Sequence, residues 1–95
     1  MKTIWKYKIK VLDEFHVDMP AGSRILTAQA QHNQLNLWAL VDTEATVIPY
    51  NFAIFGTDNP IDDSINLECY RFVNTFQLYE GGFVGHLFQV LTDDN

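Results

Sequence analysis

Tyr70-Arg71-Phe72-Val73-Asn74-Thr75-Phe76-Gln77-Leu78-Tyr79-Glu80-Gly81-Gly82-Phe83-Val84-Gly85-His86-Leu87-Phe88-Gln89-Val90-Leu91 is the stretch that decides the fold. Two apolar-rich runs, residues 70–79 and 83–91, flank Glu80-Gly81-Gly82, and a Gly-Gly pair suits a tight hairpin because glycine takes positive φ at no steric cost. With Gly81 and Gly82 as a two-residue turn, Gln77 opposes His86, Leu78 opposes Gly85 and Phe76 opposes Leu87. Period-two alternation then puts Tyr70, Phe72, Phe76, Leu78, Leu87 and Leu91 on a core face. Arg71, Thr75, Gln77, Tyr79, His86 and Phe88 fall on the other face, which is amphipathic and suits a ligand or a second subunit. On it His86 reads as a packed histidine bonded to Gln77.

The same period-two reading runs outward to the N-terminus. Residues 4–11 set Trp5, Tyr7, Ile9 and Val11 against Lys6, Lys8 and Lys10; the lysine row either guards a sheet edge or meets an anionic partner. Phe15, Val17 and Met19 make a second strand that Pro20 ends, followed by a turn at 20–23. Residues 24–31 place Leu26, Ala28 and Ala30 opposite Thr27, Gln29 and Gln31, and His32-Asn33 is a hairpin tip. Residues 35–42, apolar on both faces from Leu37 to Val41, read as a central strand covered on both sides. A fifth strand, 46–55, aligns Ile48, Tyr50, Phe52 and Ile54, with Pro49 marking an edge or a bulge. Asn59 as cap, Pro60 at the first helical position and the acids after it predict at most one short helix, near 60–66. The expected fold is mainly β: one compact antiparallel domain over residues 1–95, with about seven strands.

At 95 residues the chain has room for a modest core. Its apolar fraction of 47% includes seven Phe, two Trp and four Tyr, so large rings supply most of the burial. All four lysines lie in the first ten residues, leaving two arginines against twelve carboxylates beyond them, within a net charge of −6. An acidic body argues against a duplex-DNA binder, which needs a basic face to displace counterions from phosphate, but leaves room for a small anionic ligand in a local pocket. The longest apolar run, residues 37–41, is far too short to span a membrane, and lysines without a following apolar block do not make a secretory signal. The single cysteine, Cys69, cannot pair within the chain and reads as buried and inert, in keeping with a reducing cytoplasm.

No phosphate-binding loop, nucleophile elbow or dinucleotide fingerprint is present, so no catalytic residue is assigned and the chain is read as a non-enzyme without cofactors. His16, His32 and His86 lack the spacing of a metal site. Arg24 and Arg71 stand out as the only guanidinium groups. They pair with surface carboxylates, or their planar forks grip a phosphate or carboxylate.

Together Lys2-Thr3-Ile4-Trp5-Lys6-Tyr7, Met19-Pro20-Ala21-Gly22-Ser23-Arg24-Ile25-Leu26, Leu37-Trp38-Ala39-Leu40-Val41-Asp42, Phe55-Gly56-Thr57, Asn74-Thr75-Phe76 and Gly82-Phe83-Val84-Gly85-His86-Leu87-Phe88 resemble a small domain family of bacteriophages and prophages. That family looks related to the phage proteins that inhibit Thoeris immunity by sequestering its cyclic ADP-ribose-type signal. The resemblance implies an oligomeric sponge in the host cytoplasm that holds a cyclic nucleotide between protomers without cleaving it. In such a protein Arg24, Arg71 and the lysine row would meet phosphates, and Trp38, Tyr70, Phe72 or Tyr79 would stack on a base, with His86 on the same hairpin face. The alternative is an acidic inhibitor that binds a host defence protein at its basic site. An enzyme degrading the signal ranks last, since no acid–base pair or metal set is visible.

Overall fold

The computed structural model describes residues 1–91. Seven strands form two antiparallel sheets: β1 (Lys2–Ile9), β2 (Glu14–Pro20), β3 (Arg24–Gln31), β4 (Gln34–Asp42), β5 (Val47–Gly56), β6 (Tyr70–Leu78) and β7 (Phe83–Val90). One sheet has the order β1-β4-β3 and the other β2-β5-β7-β6. They share one core in which Ile9, Ala28, Leu35, Leu37, Ala39 and Val41 of the first sheet meet Met19, Tyr50, Phe52, Ile54, Phe76, Leu78 and Leu87 of the second. The mainly β reading holds.

The hairpin tip at His32-Asn33 is as expected, both residues having positive φ (52° and 61°), as a twisted two-residue turn requires. The lysine strand β1 is an edge strand. Pro49 sits opposite Asp18 on β2, beyond Asn51, where the pairing of β5 with β7 ends. A proline fits there because the β7 ladder does not reach it.

Several expectations are corrected. β4 is central within its sheet, but only one face packs on the core; Trp38 and Leu40 lie half-buried on the outer face. No α-helix forms at 60–66. Asp58 takes positive φ (68°), the Asn59 amide closes a turn on Gly56, and Asp62 caps a turn by accepting from Ser64 N. Side-chain bonds to local backbone compete with the helix there. Helical geometry among the described residues is confined to short 3₁₀-type turns: Leu67–Cys69, and the hydrogen-bonded turn at Tyr79–Gly81, whose backbone is left-handed. Cys69 is exposed rather than buried.

The last hairpin differs most. Its turn is not the Gly81-Gly82 pair but a four-residue loop, 79–82, in which Tyr79, Glu80 and Gly81 all take positive φ. The register therefore shifts by two: Gln77 pairs with Val84, Phe76 with Gly85 and Thr75 with His86. A two-residue shift preserves faces, so Phe76, Leu78 and Leu87 still point into the core. A bulge at Val73 then displaces β6 by one residue and swaps the faces of residues 70–72. Tyr70 and Phe72 leave the core face, and Arg71 turns to the inner side opposite the buried Gln89. A second bulge, at Leu26, leaves that side chain 43% exposed instead of aligned with Ala28.

Candidate functional site

The two bulges face each other along the seam where edge strands β3 and β6 meet. On one side of them the seam is closed by Asn74, whose amide oxygen accepts from Ala28 N at 2.8 Å and whose amide nitrogen donates to Ala28 O. On the other side the strands part around a cleft of about 440 Å³, lined by Gly22, Ser23, Arg24, Ile25, Leu26, Tyr50, Arg71, Phe72, Val73, Gln89 and Leu91. The Tyr50 hydroxyl fixes its floor, donating to Pro20 O (3.0 Å) and accepting from Ser23 N (2.9 Å). This pair of bonds also holds the turn that carries Arg24.

Arg24 and Arg71, the only two cations beyond residue 10, both line this cleft. Neither guanidinium has an ion pair or side-chain hydrogen bond to another described residue; the ion pairs there join the N-terminal amine to Asp42 and Glu44, and His16 to Asp18. Gln89, only 5% exposed, adds an amide to the lining, and Phe72, 54% exposed, stands at the rim. The cleft can thus offer two planar cationic forks and neutral polar groups, with the part-exposed Phe72 ring beside it.

The other residues singled out in the sequence lie elsewhere. Tyr70 belongs to an aromatic cluster on the outer face of the four-stranded sheet, with Phe55 (6.0 Å between centroids) and Phe88 (6.3 Å). Phe72 joins that cluster edge-on to Phe88 at 5.4 Å, linking it to the cleft. His86, next along the same face, has both ring nitrogens engaged: Nε2 with Thr57 Oγ1 at 2.7 Å and Nδ1 with Thr75 Oγ1 at 2.8 Å. Thr75, not Gln77, is its neighbour because of the two-residue register shift. Trp38 sits on the opposite sheet's outer face in a shallow apolar depression with Ile4 and Leu26. Tyr79 is 65% exposed in the hairpin loop, which Asn33 Oδ1 ties down by accepting from Tyr79 N. Of the seven candidates, Arg24, Arg71 and Phe72 converge, Tyr70 and His86 occupy the adjoining face, and Trp38 and Tyr79 are separate.

Tyr50 and Gln89 were missed as lining residues because their alternation marks them only as core. A signal for the cleft was present: the doublets Ile25-Leu26 and Phe72-Val73 break strict alternation at the two bulges.

The chain belongs to the DUF7352 family. The match covers residues 1–95 of this domain of unknown function. No curated protein and no solved structure matches the DUF7352 chain. Among its described residues no helix is long and apolar enough to cross a membrane, and no group of three or more His, Cys, Asp or Glu side chains is placed to hold a metal ion.

Proposed function

We propose that this protein is a non-catalytic binding module that withholds a small anionic nucleotide, with phosphate held between Arg24 and Arg71 and a base laid on Phe72. One observation carries the reading: two arginines 47 positions apart in an acidic chain share one cleft with an exposed aromatic ring at its rim. A guanidinium fork matches phosphate oxygens in geometry and is weakly hydrated, so it gives up water for a phosphate at low cost. A ring at the rim stacks on any base, since every base has a π-face. The acidic remainder repels polyanions while the cleft admits a small one.

The motifs that resemble the phage domain family, itself read as related to the sponges, are the ground for naming a cyclic nucleotide immune signal as the ligand, a phage origin and action in the host cytoplasm. Incubating the protein with a panel of cyclic nucleotides, then heat-denaturing it and chromatographing the supernatant, tests the reading. Depletion followed by recovery of intact nucleotide is expected. Altered nucleotide would mean an enzyme, and no depletion would favour an inhibitor of a host defence protein.

A further inference from the structure

Along β7 the inward slots fall to Gly85, Leu87 and Gln89. Leu87 is fully buried in the core, and Gln89 takes the next slot, also buried, between its cross-strand partners Phe52 on β5 and Arg71 on β6. An apolar side chain is the ordinary occupant of such a slot. The other buried amide, Asn36, donates to Gln34 O at 3.0 Å, whereas the Gln89 carboxamide has no hydrogen-bond partner among the described residues. The one unpartnered polar side-chain atom sealed from solvent there is the Tyr7 hydroxyl, so the Gln89 amide opens into the cleft that it lines. The other neutral polar side chains of that lining are engaged: the Tyr50 hydroxyl with Pro20 O and Ser23 N, and Ser23 Oγ with Pro20 O at 2.6 Å. Burying an amide without a partner costs stability, and a position that breaks the apolar rule in this way marks a functional group.

We propose that Gln89 reads the sugar of the bound nucleotide and gives the cleft a preference for ribonucleotides over 2′-deoxyribonucleotides, an inference that rests on the nucleotide reading above. Residues directly paired on neighbouring antiparallel strands have Cα atoms about 4.5–5.5 Å apart, so a ligand group on Gln89 lies beside the group held by Arg71. With the phosphate on Arg71 and the base on Phe72, the next residue along β6, the part of the ligand left to Gln89 is the ribose. In a 3′,5′-cyclic nucleotide the 2′-hydroxyl stands on the carbon next to the one whose oxygen carries the phosphate. A hydroxyl both donates and accepts, and a carboxamide offers an accepting oxygen and a donating nitrogen, so each satisfies the other. A 2′-deoxy ligand displaces water from the amide and returns no bond. That hydroxyl is the group by which a protein site tells ribose from deoxyribose.

Isothermal titration calorimetry of the native protein tests this with 3′,5′-cyclic mononucleotides and 3′,5′-linked cyclic dinucleotides, each beside its 2′-deoxy counterpart. The ribose member of a pair that binds is expected to bind about tenfold or more tightly, because the deoxy member leaves a buried amide unpaired. Gln89→Met, close in volume and apolar, should fold normally by circular dichroism and bind the two members equally. Should it fail to fold, Gln89→Asn, which withdraws the carboxamide by one methylene, takes its place with the same expected loss of preference. Equal affinity of the native protein for both members overturns the inference while leaving the nucleotide reading intact, and so does a ribose preference that survives the Gln89 substitution. Failure of every pair to bind overturns the nucleotide reading itself, and the role of Gln89 falls with it.

Discussion

Asn74 on β6 uses its side-chain amide as a stand-in for a backbone strand, engaging both the N–H and the C=O of Ala28 on β3 across the seam between the sheets. The bulge at Val73 aims it there, and Ala28 is itself fully buried. The two sheets are thereby joined through one side chain at the point where the arginine cleft begins.

Replacing that amide leaves two edge groups of Ala28 without partners in a partly buried setting. Asn74→Ala should therefore cost about 1–3 kcal/mol, the range for unpaired buried polar groups. Asn74→Asp should cost no less, since it loses the donor and sets a carboxylate against the Ala28 carbonyl. Urea unfolding measures both; a loss within experimental error for either variant would show that the clamp is idle.

Arg24 and Arg71 are exposed and without a described ion pair, so Arg24→Ala and Arg71→Ala should each change stability by only about 0–1 kcal/mol. A guanidinium on a phosphate contributes on the order of 1.5–3 kcal/mol, so each variant should bind the nucleotide identified by the panel about tenfold to a hundredfold more weakly. Tyr79→Ala, outside the cleft, should bind normally. Calorimetric titration of the three variants checks this, and equal affinities would remove the cleft from the binding reading.

Gly85 leaves room for the ring opposite it. A Cβ there would lie 2.5 Å from Phe76 Cζ and 2.9 Å from Phe83 Cε2. Gly85→Ala should destabilise the protein by about 1–3 kcal/mol, as overpacked cores do. Combined with Phe76→Leu, the total loss should fall short of the two single losses together, because the smaller side chain relieves the clash.

The Tyr7 hydroxyl is buried with no hydrogen-bond partner among the described residues, and burial raises its pKa above the usual tyrosine value. Removing an unpaired buried hydroxyl while keeping the ring should help: Tyr7→Phe should gain about 0.5–1.5 kcal/mol in thermal or urea unfolding. A destabilised variant would mean that the hydroxyl has a partner in solution.

Period-two alternation alone located the strands, the His32-Asn33 turn and the core positions Tyr50, Phe52, Ile54, Phe76, Leu78 and Leu87, because a residue's face follows locally from the pleat. The singular placement of Arg24 and Arg71 in an acidic chain also marked them as candidates, since composition is independent of conformation. Only the tertiary structure decided that they share a cleft. One bulge reverses every face beyond it, and the bulge at Val73 goes together with Asn74 bonding Ala28, 46 positions away, a contact that local propensity does not encode. The loop at 79–82 follows the same logic. Gly81 and Gly82 permit a two-residue turn, but Asn33 captures the Tyr79 amide from the neighbouring hairpin and the chain takes the wider loop, moving His86 from Gln77 to Thr75. Pairing partners at such distances are chosen by the packing of the two sheets.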